Sequence, residues 1–278
     1  MVMDIDQHYS HHMDETTLLN QLRLQYPDGP TLYQLAPIDQ LHIGGIKASE
    51  KLLKLLQQQQ PRRILEIGSG AGGLMRMIAS QFNAEVIGID ITHRFNRLNR
   101  ALTELSGTPL SSVISCDAQQ LPFADNCFDC IIFQHSLLNI PNTERCLQEC
   151  LRVLNANGSL LLHEVLQGPN QQQMCYPVPW ARTAEQSHLI TFEALSAQLQ
   201  QSGFQLKGAE NWSEEALQWR QRQADKEKGN ETDKERKAPL ISPIQILGED
   251  FKKMGPNVIT NLSEDAVQVW QLSCTATA

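Results

Sequence analysis

No stretch of the 278 residues approaches the roughly 18 consecutive apolar positions that crossing a bilayer requires, so no membrane partner is expected. Basic charge is also scarce. Twenty-three lysines and arginines face 31 aspartates and glutamates, a formal net charge of −8. No stripe of cations exists to follow a phosphate backbone, which argues against a nucleic-acid substrate. Cysteine supplies no framework: seven is an odd number, and the spacings do not suggest pairing. Cys127 and Cys130 form a CxxC without a second pair. A zinc site lacks its third and fourth ligands, and no metal is expected. Cys130 sits in an apolar run and Cys146 and Cys150 are four apart on an expected helix, so all three read as buried thiols. No internal repeat is present. The N-terminus MVMDIDQHYSHHMDE is acidic and polar, unlike a secretory leader, and a cytoplasmic location is the expectation.

What the chain does have is concentrated in residues 62–73, RRILEIGSGAGG. Ile64, Leu65 and Ile67 form a short apolar run of the kind that makes a strand buried on both faces. Gly68, Gly70, Gly72 and Gly73 follow, and Leu74, Met75, Met77 and Ile78 resume at helical spacing. Strand, glycine turn and helix make a binding loop for a phosphate or a nucleoside. The glycines let the backbone approach a ligand, and the helix start offers unpaired N–H groups. Gly68, Gly70 and Gly73 satisfy the dinucleotide pattern G-x-G-x-x-G, which alone discriminates little. Asp90, ending the next apolar run, suits either cofactor because a carboxylate there accepts from ribose hydroxyls. Glu66 discriminates. A carboxylate just before the first glycine repels a pyrophosphate but suits a cofactor with an amino group and a sulfonium. The loop therefore reads as one for S-adenosylmethionine in preference to a nicotinamide dinucleotide.

The rest of the chain alternates strand and helix from Arg62 onward, which predicts a parallel α/β sheet. Strands are expected at 64–67, 85–90, 112–115, 129–133 and 159–163, with helices near 74–81, 95–105 and 143–154. Asn157 and Gly158 form a turn dipeptide before the fifth strand. Upstream, Leu18, Leu19 and Leu22 have helical spacing, residues 26–30 (YPDGP) break the chain, and a second helix carries Ile46, Leu52, Leu53 and Leu56. Downstream, 176–180 (YPVPW) reads as a loop lined with aromatic side chains, 191–202 as a helix, and 204–209 and 267–274 as strands. The charged stretch 220–237 has too few apolar residues to pack as core and reads as an exposed helix or a mobile lid.

Four blocks, ILEIGSGAGG, IGID with Asp90, CDAQQLPFADNCFDCIIFQHSLLNI and RVLNANGSLLLHE, run in that order from Arg62 to about Glu164. Together they resemble a class I S-adenosylmethionine-dependent methyltransferase. LHIGG upstream and YPVPWA downstream are similar to the small-molecule branch of that family. That branch includes glycine, sarcosine and dimethylglycine N-methyltransferases and their ubiquinone- and tocopherol-type relatives. The resemblance implies an α/β, Rossmann-like fold, a seven-stranded, mainly parallel sheet with an antiparallel last strand and helices on both faces. Residues 1–60 would form an N-terminal helical lid segment. Residues 61–278 would form the cofactor domain, with a lid insertion at about 211–262.

The same resemblance implies roles for single residues. Glu66, Gly68, Ser69 and Gly70 would meet the methionine part and ribose of the cofactor, and Asp90 the ribose hydroxyls. Ile91 would pack on the adenine, Asp117 would accept from its amino group, and Ala118 would offer a backbone donor; Asp117 also suits a turn cap. His135 would lie beside the reactive methyl, or is a helix-start or core histidine. Tyr9 and His42 match positions that close over the cofactor, although Tyr9 also fits a frayed terminus. If the acceptor needs a base, His135 is placed best, with His42 and His163 behind it. Tyr176, Trp180, Trp212 and Trp219 suit an acceptor pocket, or ordinary packing under a lid. Two departures stand out. Asn155-Ala-Asn-Gly158 replaces the family's Pro-Gly-Gly turn, and Asn139-Ile-Pro-Asn142 lacks the Pro-Pro-aromatic run of enzymes that methylate nucleic-acid bases. The expected function is methyl transfer to a small amine, quinol, phenol or carbon acid, with a homodimer left open. A non-catalytic S-adenosylmethionine-binding protein and an NAD-dependent oxidoreductase are the competing readings.

Overall fold

The structure, a computed structural model, describes residues 13–232 and 241–277. Three helices precede the first strand. In α1 (Glu15–Gln25) the Asp14 carboxylate caps the start by accepting from Thr17 N at 3.1 Å, and Leu18, Leu19 and Leu22 are buried. Helix α2 (Leu32–Asp39) opens on a reciprocal capping box between Thr31 and Gln34 and buries Leu35 and Ile38. The sequence pattern missed it, because Pro37 lies inside and only seven other residues carry the period. Helix α3 (Ile46–Gln59) turns Leu52, Leu53 and Leu56 inward, as their spacing predicts.

The Rossmann-like core follows in strict alternation: β1 (Arg63–Ile67), α4 (Gly73–Gln81), β2 (Glu85–Asp90), α5 (His93–Leu105), β3 (Ser112–Ser115), β4 (Phe128–Gln134), α6 (Thr143–Val153) and β5 (Leu154–Gln167). Then come α7 (Phe192–Gln201), β6 (Phe204–Asn211), α8 (Ser213–Thr232), α9 (Ile244–Leu247), α10 (Phe251–Ser263) and β7 (Val267–Ala276). The seven strands lie in the order β3-β2-β1-β4-β5-β7-β6. Strands β1 to β5 pair in parallel, and β7 runs antiparallel between β5 and β6. That is the sheet the resemblance implied.

Alternation along the strands sorts side chains between two layers. Leu65, Ile67, Ile131, Phe133, Leu160 and Leu162 pack against α6 and α7 with Cys146, Leu147 and Cys150. Ile64, Cys130, Ile132 and Leu161 pack against α3 and α4. The buried thiols are where the sequence placed them, and among the described residues all seven cysteines are free. The N-terminal helices α1 and α2 cover α5, with Leu22, Leu35 and Ile38 against Leu98 and Leu102.

Three expectations change. The fifth strand runs on past His163 to Gln167, since Val165 and Leu166 are buried beside β7 and keep the apolar run alive. The charged stretch is helical through Thr232 and is not wholly exposed: Arg220 is buried, with a two-pronged pair to Glu227 at 2.9 Å. Its remainder, 233–237, lies outside the described residues. Helix α10, with Pro256 inside, was not anticipated and buries Met254, Val258 and Leu262. No helix among the described residues is long and apolar enough to cross a membrane.

Candidate active site

The glycine turn after β1 is tied to β2. Gly68 N and Ser69 N both donate to Ile89 O, at 2.8 and 2.9 Å, and Gly70 N donates to Asp90 Oδ2 at 2.9 Å. Asp90 Oδ1 accepts from Thr92 N at 2.8 Å, so its carboxylate is fixed from two sides. Gly68 has φ +72°, and a Cβ there would stand 2.3 Å from Ser136 Cβ, so only glycine lets the β1 turn lie against the loop after β4. Gly70 has φ +51° with nothing within 4 Å of a Cβ position, leaving that side of the turn open.

The open side faces a cavity of about 400 Å³. It lies at the carboxyl ends of β1, β2 and β4, where the strand order reverses and open α/β sheets take their ligands. Glu66, Gly68, Ser69 and Gly70 line it from β1 and its turn. Asp90 and the half-exposed Ile91 line it from β2, and Asp117 with the backbone of Ala118 from the loop after β3. His42, His135 and Trp180 complete the predicted residues that meet there. Tyr176 and Trp212 do not: both sit in the apolar cluster behind Trp180, where Trp212 meets His163 edge-on at 5.3 Å. Tyr9 lies outside the described residues. Asp117 also serves its local role, since Oδ1 accepts from Gln119 N at 2.8 Å.

Burial sets the protonation of the site. Glu66 is 3 % exposed, Oε2 has no partner, and its carboxyl is pushed up to about 8 by burial, with Arg76 pulling it down and Asp90 adding to the rise. A buried carboxyl with an unpaired oxygen at the rim of a cavity is an incomplete ion pair. The histidines go the other way. Burial and the neighbouring His163 hold His42 at about 3, while burial, His163 and His42 hold His135 well below the usual histidine range. His135 stacks on His163 with centroids 5.1 Å apart, and His42 meets His135 edge-on at 5.8 Å.

One residue's backbone sets the tautomers of two of these rings. Ile43 N–H donates to His135 Nδ1 at 3.4 Å, so the proton of the neutral ring sits on Nε2. Ile43 O lies 3.2 Å from His163 Nε2 and accepts that ring's proton. His42 Nε2 lies 2.9 Å from Gly45 O and donates to it, which leaves Nδ1 as that ring's acceptor. His135 is therefore a donor at Nε2, where the sequence reading looked for a base.

Two residues without an assigned role shape the site. Glu164, 1 % exposed, accepts from Ser136 N at 2.9 Å and Leu137 N at 3.1 Å, and so holds the turn that presents His135 in a left-handed conformation at φ +53°. Burial raises its carboxyl to about 7 against those N–H bonds. Arg76, 1 % exposed, reaches Asp39 at 2.7 Å, Asn99 O at 3.2 Å and Thr103 Oγ1 at 3.1 Å, joining α2, α4 and α5 behind the glycine turn. A charge inside an otherwise apolar run (LMRMI around Arg76, LLLHEVL around Glu164) was the signal available in the sequence.

Residues 65–162 match the family model described as Methyltransferase domain. The sarcosine/dimethylglycine N-methyltransferase of Halorhodospira halochloris is 29 % identical over 120 residues, 42 % of this chain and 43 % of that protein. The phosphoethanolamine N-methyltransferase of Plasmodium falciparum is 30 % identical over 153 residues, 54 % of this chain and 56 % of that one. This chain thus spans about half the length of these curated relatives. Among solved structures, phosphoethanolamine N-methyltransferase 2 of Haemonchus contortus, in complex with phosphomonomethylethanolamine and S-adenosylhomocysteine, superposes with a TM-score of 0.67 at 19 % identity. The match covers 93 % of this chain and 60 % of that one. The fold is shared.

Proposed function

We propose that this chain, whose residues 65–162 are a methyltransferase domain, is a class I S-adenosylmethionine-dependent methyltransferase that acts on a small-molecule acceptor. The observation that carries the reading is Glu66: a buried carboxyl with an unpaired oxygen, at the end of β1, on the cavity that the glycine turn leaves open. Once ionised it pairs with a ligand ammonium and, with Asp90 and Asp117 in the same lining, disfavours a pyrophosphate. When bound, the cofactor supplies a methyl group on a sulfonium, already activated for in-line displacement.

The chain's own residues bind, orient and exclude water. Glu66 takes the amino group. Asp90, held by Gly70 and Thr92, would accept from the ribose hydroxyls. Ile91 would pack on the adenine, Ala118 would offer it a backbone donor, and Asp117 would accept from its amino group. His135 and His42 line the same cavity as a neutral donor and a neutral acceptor and would orient the acceptor there; such alignment contributes roughly 7–11 kcal/mol. The helices before β1, with α8 and α10, would form the lid that keeps water out, and Trp180 would belong to its inner wall. A cytoplasmic location belongs to the same proposal.

Titration calorimetry of the full chain with S-adenosylhomocysteine and with NADH tests the reading. Uptake of the first and not the second is expected, together with transfer of labelled methyl to a metabolite extract. The reverse preference overturns it.

A further inference from the structure

Of the clustered histidines, His42 and His135 line the cavity, whereas His163, on β5 and wholly buried, stands behind the lining. His163 nevertheless holds His135 from two directions. Its backbone carbonyl accepts from His135 N at 2.8 Å, and its ring stacks on the His135 ring at a tilt of 15°. Its Nε2 proton goes to Ile43 O at 3.2 Å, and Ile43 N–H in turn reaches His135 Nδ1 at 3.4 Å. Ile43 is buried too, so its carbonyl has no water to turn to if the imidazole donor is lost. The connector that carries Ile43 is backed by two indoles. A Cβ on Gly44, at φ +101°, would overlap the Trp212 ring, and one on Gly45, at φ +50°, would stand 2.9 Å from Trp219. Trp212 also meets His163 edge-on, so the same indole braces the connector and the ring that the connector answers to.

We infer that His163 is a positioning residue: through Ile43 it holds His135 in one orientation, with the proton on Nε2. For its effect on turnover the inference rests on the methyltransferase reading above. The sequence placed His163 among the candidate bases, but its Nε2 is committed to Ile43 and its ring does not reach the cavity. A neutral imidazole can carry its proton on either nitrogen, and the hydrogen bond at one nitrogen selects the form. Here that bond comes from an N–H whose own residue is held by the next ring. Without the His163 donor, the Ile43 carbonyl turns to find another partner and carries the N–H away from His135 Nδ1.

Long-range proton–nitrogen spectra of the full chain with isotope-labelled histidine read the tautomers directly, because protonated and bare ring nitrogens resonate far apart. His135→Asn and His163→Gln assign the signals. In the parent, both rings are expected as single Nε2–H forms. His163→Leu fills the space and removes the donor; the ratio of the two His135 forms should fall about 3- to 10-fold, the worth of one neutral hydrogen bond, so that a second form appears. His163→Gln carries an amide N–H as many bonds from Cβ as the imidazole Nε2–H, and should restore the parent's His135 signal, which a loss of packing alone would not. Labelled methyl transfer into a metabolite extract should fall in the leucine variant and recover in the glutamine one, with S-adenosylhomocysteine affinity within about 2-fold of the parent in both. If the leucine variant does not fold, the parent's spectrum decides: a His163 proton on Nδ1 breaks the link to Ile43. That result, or a leucine variant with the parent's His135 tautomer, overturns the inference and leaves the methyltransferase reading standing. Failure to bind S-adenosylhomocysteine overturns that reading and leaves the tautomer result intact.

Discussion

On the proposed reading, Glu66 makes cofactor binding a proton-releasing event. Its carboxyl is pushed up to about 8 because burial disfavours the anion, so at pH 7 roughly nine chains in ten hold it protonated. Pairing with a ligand ammonium requires the carboxylate, and binding at pH 7 therefore expels about 0.9 proton. Ionising the group before pairing costs about 2.7 kcal/mol at pH 6, about 1.4 at pH 7 and about 0.4 at pH 8, so affinity should rise about 50-fold from pH 6 to pH 8. Calorimetry with S-adenosylhomocysteine in buffers of different ionisation enthalpy reads both quantities. Glu66→Gln keeps the shape and removes the titration; it should lose most of the slope, supply the ligand's own titration as a baseline, and bind about 2–5 kcal/mol more weakly at pH 8. The sign for stability is opposite. A folded-state value raised above the unfolded one stabilises below about pH 4.5 and loses that contribution as pH rises through about 8. Unliganded Glu66→Gln should therefore melt higher than the parent at pH 8.5. A flat affinity profile between pH 6 and 8, with no proton released, would refute the assignment of Glu66 to the ammonium.

Three further outcomes are expected. Asp90→Ala leaves Gly70 N and Thr92 N without their acceptor, and should cost about 1–3 kcal/mol of stability in urea melts together with most S-adenosylhomocysteine affinity. Arg76→Met removes one partner of a pair in which Arg76 and Asp39 are 1 % and 2 % exposed, and should destabilise by about 3–5 kcal/mol; adding Asp39→Asn should recover part of it in a double-mutant cycle. Glu164→Ala frees Ser136 N and Leu137 N, so the His135 turn should show faster amide exchange and turnover should fall while cofactor affinity changes little.

The sheet was legible because each strand writes its signal locally. The apolar runs at Ile64, Val86, Ile131 and Leu160 lie between helices whose buried residues recur at helical spacing, and the order of the blocks fixed the rest. Helices α2 and α10 escaped because Pro37 and Pro256 break the local pattern, while Leu35, Ile38, Met254 and Val258 find their partners far along the chain. That Glu66 to Gly70 and Asp90 meet at one cavity was legible for the same reason as the strands: they sit on consecutive β–α turns. The other wall of the cavity was legible only in part: His42, His135 and Trp180 were named from the blocks, whereas Tyr176 and Trp212 pack behind it and Leu247 carried no signal. His42, His135, Trp180 and Leu247 come from four distant segments. That the Trp180 N–H lacks a partner, or that His135 points a proton and not a lone pair from Nε2, exists only once the chain is folded.

Ile43 belongs to a connector before the first strand, yet its N–H and its C=O dictate which nitrogen of His135 and of His163 is protonated. Gly70, Thr92 and Asp90 secure one another within the turns after β1 and β2. An imidazole released from Ile43 would interconvert freely between its two neutral forms. On the proposed reading, the grip on the methyl donor rests on the turns after β1 and β2, and the protonation pattern facing the acceptor rests on a connector upstream of them.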